Sequence, residues 1–448
     1  MVLDIYLADH LVGKLRETKM HEYELDILDH SQIISNHFID LENPIPFDIC
    51  GPFFENILPE DKRKAKICKA LDVHKKDDFN LLSKIGRETA GAISVVHEGE
   101  KPNILDAPDL NSLTHQELID KAKGDIAGIK FKTRISLAGA QAKASIVLSE
   151  NNLPEAEETK TTAFPIHTCE NRSLSNFIIK PEVNPDLPHS VDNEYFCMTL
   201  ARAVGIDAAD VYKCFLHGDK GLIPALLVKR FDRYEAAGHI RPYHMEDLCQ
   251  VLGLSPDYKY QEYSAVTGND TGPGISDLVT MTRKGKNVIH GIQQITKLII
   301  FNYIVENQDA HGKNFSFIYK DAGKFEFAPA YDLISTCLYD EMNEDLAMHI
   351  GGEYNPALVG KEHFQKMCKQ TKLGFSAFKK EAEAMIGTLK PIIEETQATK
   401  GKATAERKIA EVMAMRCYHL SQEFGFGFDF NWDDDAKSTA FLNPQIHK

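Results

Sequence analysis

No cysteine of this chain lies in a C-x-x-C pair, and the nine that occur are scattered and odd in number. That argues against a paired disulfide framework and a zinc ribbon, and the expected state is reduced thiols in a cytoplasmic setting. Apolar runs are short. None approaches the roughly 18 residues of a membrane span, so no membrane association is expected. The N-terminus, MVLDIYLADH, has an acid at Asp4 and no basic stretch before an apolar run, unlike a secretory signal. Positive charge is scarce as well. With 51 basic against 66 acidic residues the formal net charge is −15, which argues against wholesale nucleic-acid binding. Two local exceptions stand out, KRKAKICK at 62 to 69 and the lysines 361, 366, 369, 372, 379 and 380. Both read first as solvated helix faces, the second also as a candidate contact to DNA phosphates.

What is present centres on residues 302 to 332, NYIVENQDAHGKNFSFIYKDAGKFEFAPAYD. Asp309 precedes Asn314 by five positions, and Asp332 follows the next expected hairpin. Phosphoryl transfer needs a carboxylate to orient a hydroxyl and take its proton, and oxygen ligands to hold Mg²⁺ against nucleotide phosphates. Asp309 suits the first task, Asn314 and Asp332 the second. The spacing matches D-x-x-x-x-N of protein-kinase catalytic loops, and His311 also gives the D-x-H-x-x-N form of lipid-kinase-like enzymes. Such spacing alone also arises by chance in polar turns, so its surroundings decide. Ile292, Ile295, Leu298, Ile299, Phe301, Asn302 and Val305 recur at helical spacing and predict a buried helix running into Asn307 and Asp309. Phe315, Phe317 and Tyr319 alternate as a strand, Asp321 to Gly323 turn, and Phe325 and Phe327 return.

Elsewhere, alternation over residues 3 to 27 predicts a small antiparallel meander, with a helix at 78 to 85 stopped by Gly86 and a strand at 91 to 96. A Pro- and Asp-bearing linker at 98 to 112 marks a boundary. Three domains are expected: 1–110, 125–230, and a mostly helical 231–448. The second opens with strands around Arg134 to Leu137 and Ser145 to Leu148, joined through Gly139. That loop has neither G-x-G-x-x-G nor a Walker pattern, and its residues read equally as a plain hairpin. An acidic, irregular insertion is expected over 150 to 172. The strand NFIIKPE carries Lys180, and the helix of DNEYFCMTLARAVG carries Glu194, with Phe196, Leu200 and Ala203 inward and Gly205 as its stop. A strand lysine and a glutamate early on the next helix are similar to the ion pair that holds nucleotide phosphates in kinases. LIPALLVKRFDR suits a hinge strand, and HMEDLCQVLGL a short helix ending at Gly253.

In this order the segments resemble one family along nearly the whole chain, the HipA-like serine/threonine kinases of bacterial toxin–antitoxin modules. SLAGAQAK at 136 to 143 is similar to the family's phosphate loop. IIKPE with DNEYFCMTLA resembles its lysine strand and following helix, and VKRFDR with EDLCQVLG its hinge. NQDAHGKNFSF with PAYDLIS resembles its catalytic and metal segments, and PFFENILPEDKR with LLSKIGRETAGAISV its small N-terminal domain. The resemblance implies an α+β, two-lobed, protein-kinase-like (PI3/4-kinase-like) fold preceded by a small α+β domain. It implies Asp309 as catalytic base, Asn314 and Asp332 as Mg²⁺ ligands, and Lys180 at the ATP phosphates with Glu194 as its ion-pair partner. Ala138, Gly139, Ala140, Gln141, Ala142 and Lys143 would form the phosphate loop. Lys229, Arg230 and Phe231 would flank the adenine, and His311, Gly312, Lys313 and Tyr331 would complete the pocket. Ser136 corresponds to the family's autophosphorylated serine, where added negative charge would expel the loop.

The expected activity is therefore transfer of phosphate from Mg²⁺-ATP to a protein serine or threonine, with an aminoacyl-tRNA synthetase or another translation protein as substrate. The implied partner is a helix-turn-helix antitoxin resembling HipB, through which operator DNA would be reached. Two rivals share the sequence: a small-molecule or lipid kinase on the same scaffold, and a catalytically silent co-repressor.

Overall fold

The computed structural model describes residues 1–102, 110–123, 142–149, 153, 166–169, 174–321, 323–339, 345–399 and 404–430. The architecture is mixed α+β, as expected, and divides into two compact units. The first comprises Met1–Val191, Ala209–Lys259 and Ser316–Ala328; the second comprises Asp192–Ala208, Tyr260–Phe315 and Pro329–Lys448.

In the first unit the alternation of residues 3 to 27 becomes an antiparallel sheet of Val2–Leu7, His10–Lys19 and Glu22–Ile27, joined at its far edge by Ile93–His97. Ala8 takes the left-handed turn conformation (φ 55°) between the first two strands. Leu3, Ile5, Val12, Leu15, Tyr23 and Leu25 are buried in one core with Phe53 and Phe54 of the helix Phe47–Asn56 and Phe79 and Leu82 of Asp78–Ile85. The latter helix starts where expected because Asp77 accepts the Asn80 N–H at 3.1 Å, and it stops at Gly86.

A second antiparallel sheet has the order Ala144–Ile146, Phe177–Pro181, Gly221–Lys229, Val211–Gly218, and packs against helix His115–Lys123. Lys180 thus sits on an interior strand, opposite Leu226. Within the stretch read as irregular, Ile166–Cys169 is a strand paired with Leu110–Leu113; apart from Leu153, the rest of 150 to 172 lies outside the described residues. HMED also departs from its helical reading. His244–Asp247 pairs with Ser316–Asp321, whose return strand is Lys324–Phe327, and the helix is confined to Leu248–Leu252. Asp247 caps that helix, accepting the Gln250 N–H at 2.8 Å, and Gly253 ends it at φ 68°.

The second unit is mostly helical, with Ile275–Lys284, Val288–Ile304, Lys361–Thr371, Phe375–Ala398 and Ala405–Phe424. The helix Ser190–Ala203 enters it from the first unit and is stopped by Gly205 (φ 74°). Its buried face is Cys197, Met198, Leu200, Ala201 and the following Val204. Phe196 is half-buried and Ala203 exposed, so the expected face was rotated. No helix among the described residues is long and apolar enough to cross a membrane.

Candidate active site

The helix Val288–Ile304 buries Ile295, Leu298, Ile299, Ile300 and Phe301, which fixes where its C-terminus delivers the chain. Val305 caps it, and Glu306 turns the backbone through the left-handed region at φ 51°. Asn307 then folds back: its N–H donates to the Asn302 carbonyl at 2.9 Å and its side-chain Nδ2 to Asn302 Oδ1 at 3.1 Å. Asn307 Oδ1 accepts the Asp309 N–H at 3.2 Å. The Asp309 carbonyl accepts from the His311 N–H and from Asn314 Nδ2, both at 2.8 Å. The D-x-x-x-x-N spacing is therefore the span of one closed loop, ending in the 3₁₀ turn Gly312–Asn314. His311 is buried, with Nε2 4.0 Å from Asp309 Oδ1. Tyr260 donates its phenol hydroxyl to that same Oδ1.

The segment after the hairpin is laced to this loop. Tyr331 donates its hydroxyl to the Lys313 carbonyl at 2.6 Å, next to Asn314. The Thr336 N–H donates to the Glu306 carbonyl at 3.0 Å, and its hydroxyl accepts the Gln308 N–H at 3.2 Å. Asp332, held between these two ties, has a left-handed backbone (φ 58°). Buried Asn193 supports the same segment, exchanging hydrogen bonds with the Ser335 backbone at 2.7 and 2.8 Å. Glu306 itself is buried, and its carboxylate accepts Arg416 Nε at 2.6 Å. Arg416 also donates Nη1 to the Pro356 carbonyl at 2.8 Å and lies over the Tyr303 ring.

In the first unit, Lys143 and Lys180 are buried, while Lys229, Phe231 and Ala142 are half-buried. The Lys143 carbonyl accepts Arg63 Nη2 at 2.9 Å, and Ala142 packs on the core of the second sheet. Arg230 is committed elsewhere. Each of its five guanidinium N–H groups has an acceptor among both Asp232 oxygens, Glu88 Oε1, the Ser175 hydroxyl and the Thr89 carbonyl. Burial opposes a charge on Asp232, but Arg230 and Arg233 outweigh it and hold that carboxyl well below its usual range. Glu194, in the second unit, is buried on its helix. Ser136, Ala138, Gly139, Ala140 and Gln141 lie outside the described residues.

Sequence reading missed Tyr260, Asn193, Thr336, Glu306 and Arg416 as supports of the loop. Only Arg416 left a visible mark, a cation on the buried stripe of Ile409, Met413, Cys417 and Leu420. The others look like ordinary polar residues until the chain is folded.

Comparison with known proteins adds an independent line. A family model described as the HipA-like C-terminal domain matches residues 135–399, and one described as the HipA N-terminal domain matches residues 3–96. A protein of Sinorhizobium fredii named as a kinase, Y4mE, is 30% identical over 408 residues, covering 83% of this chain and 86% of that protein. The serine/threonine-protein kinase toxin HipA of Shewanella oneidensis is 31% identical over 378 residues, 80% of each chain. A solved Shewanella oneidensis structure, titled as HipA with HipB and operator DNA, superposes with a TM-score of 0.75 at 24% identity, covering 95% of this chain and 98% of that one.

Proposed function

The chain belongs to the HipA family of kinase toxins, and from that premise we propose that it transfers the γ-phosphoryl group of ATP to a serine or threonine hydroxyl of a protein involved in translation. The observation that carries this reading is the lacing of the Asp309 loop to the Asp332 segment through Tyr331–Lys313 and Thr336–Glu306. Asp309 orients the acceptor hydroxyl and takes its proton as the P–O bond forms; the broken bond leaves ADP. Asn314 and Asp332 would hold Mg²⁺. Their chemistry fits a hard cation, since Asn314 spends its Nδ2 on the Asp309 carbonyl and so offers its amide oxygen, while Asp332 offers a carboxylate. The bound metal would neutralise charge on the phosphates. Lys180, with Glu194 as partner, addresses those phosphates, and residues 138 to 143 cover them. Lys229, Arg230 and Phe231 flank the adenine, Arg230 by its backbone because its guanidinium N–H groups are engaged. His311, Gly312, Lys313 and Tyr331 complete the pocket.

The remaining assignments rest on the family. Self-phosphorylation of Ser136 serves as an off switch. Domain boundaries fall at 1–110, 125–230 and 231–448. The solved neighbour is titled with HipB and operator DNA, and a helix-turn-helix antitoxin that brings the pair to its operator is the corresponding partner here. The scattered thiols fit a cytoplasmic site of action, and an aminoacyl-tRNA synthetase is the first substrate to try. The test is incubation of the purified chain with Mg²⁺-ATP and, separately, a panel of aminoacyl-tRNA synthetases, phosphoinositide vesicles and small polyols. Phosphate on a synthetase, absent with Asp309→Asn, supports the proposal. Phosphate only on lipid or polyol, or none at all, overturns it.

A further inference from the structure

The hydroxyl that meets the Asp309 carboxylate comes from this chain's own Tyr260. Tyr260 is half-buried, and its ring stands edge-on to His311 at 5.1 Å and 85°. The next residue pins it in place. The Gln261 N–H donates to the Ala347 carbonyl at 2.9 Å, and Gln261 Oε1 accepts the His349 N–H at 3.1 Å. Gln261 Nε2 reaches His349 Nε2 at 3.1 Å, and His349 in turn meets Asp270 Oδ2 at 2.9 Å. Gly274 packs so close that a Cβ there would stand 2.7 Å from Gln261 Nε2. The phenol is thus carried on a fixed support that is separate from the Asp309 loop in sequence.

We infer that Tyr260 is a positioning residue for phosphoryl transfer: its hydroxyl fixes the Asp309 carboxylate through Oδ1, so that the acceptor hydroxyl of the substrate meets a carboxylate of set orientation. A carboxylate has about four lone-pair sites on its two oxygens, so one donated hydrogen bond leaves acceptor capacity for the substrate. Without it, the carboxylate loses one of its restraints, and its productive orientation is less populated. The inference rests on the kinase reading proposed above.

The test uses Tyr260→Phe, which keeps the ring against His311 and deletes only the hydroxyl. In the full chain, kcat with Mg²⁺-ATP and a protein substrate is expected to fall about tenfold or more, the worth of one hydrogen bond to a charged group, while the KM for ATP stays put. Urea unfolding of Tyr260→Phe, Asp309→Ala and the double variant reads the contact without any activity, and the two changes are expected to be non-additive. Additive unfolding effects, or a kcat equal to or above wild type, overturn the inference. A wild type with no phosphoryl transfer sinks the kinase reading and the inference with it, and a non-additive cycle would then show that the contact itself was not at fault.

Discussion

Replacing Arg416 by Met should be among the most damaging single changes outside the Asp309 loop. Arg416 is 1% and Glu306 6% exposed, and they meet at 2.6 Å. The substitution fills much of the volume but strands a buried carboxylate, which costs about 3–5 kcal/mol. It also deletes the bond to the Pro356 carbonyl. Glu306 adds a second consideration, since a side chain at φ 51° carries roughly 1–2 kcal/mol of backbone strain that glycine lacks. Adding Glu306→Gly to Arg416→Met therefore removes both the stranded charge and the strain. Urea unfolding followed by far-ultraviolet circular dichroism should show the single Arg416→Met variant about 3 kcal/mol or more below wild type. The double variant should recover most of that loss. A single-variant cost under about 1 kcal/mol, or a double variant no better than the single, would refute the claim that the pair is a buried, mutually dependent support.

Three further outcomes follow from the first unit. Burial raises the Glu246 carboxyl to about 7, only partly offset by Ser35, Tyr319 and Asn36. Its neutral form is favoured in the fold, so its stabilisation is complete below the ordinary carboxylate pKa and is lost as pH climbs to about 7; Glu246→Gln should flatten that slope, worth about 3 kcal/mol between pH 4.5 and 8, in unfolding measured across the range. Arg230→Lys cannot replace five guanidinium bonds, so thermal unfolding should show a loss of about 3 kcal/mol with ATP affinity by calorimetry unchanged. Lys180→Met should lower ATP affinity by calorimetry about tenfold or more.

The parts of the fold that were legible in the sequence are those written locally. Helical periodicity from Ile292 to Val305 delivered the helix behind Asp309, and the alternation of Phe315 to Tyr319 and Phe325 to Phe327 delivered its hairpin, because each pattern reports one buried face. His244–Asp247 was misread because a four-residue strand carries little pattern, and its partner, Ser316–Asp321, lies far along the chain. The face of Ser190–Ala203 was misjudged for another reason: burial around much of the helix leaves no single stripe to follow. Asp309, Asn314 and Asp332 could be picked out as candidates because their residue types and spacing suit phosphoryl transfer. Their supports could not. Glu306 meets Arg416 across 110 positions, Tyr260 meets Asp309 across 49, and nothing in the intervening sequence encodes either pairing.

Intact-mass spectrometry of the purified chain after incubation with Mg²⁺-ATP, beside Asp309→Asn, tests the central claim most directly. A working phosphoryl-transfer centre at Asp309 predicts one or more phosphates on the wild type, mapping to the peptide that holds Ser136, and none on the variant. An unchanged mass with no ADP formed, or equal phosphate on Asp309→Asn, would contradict it.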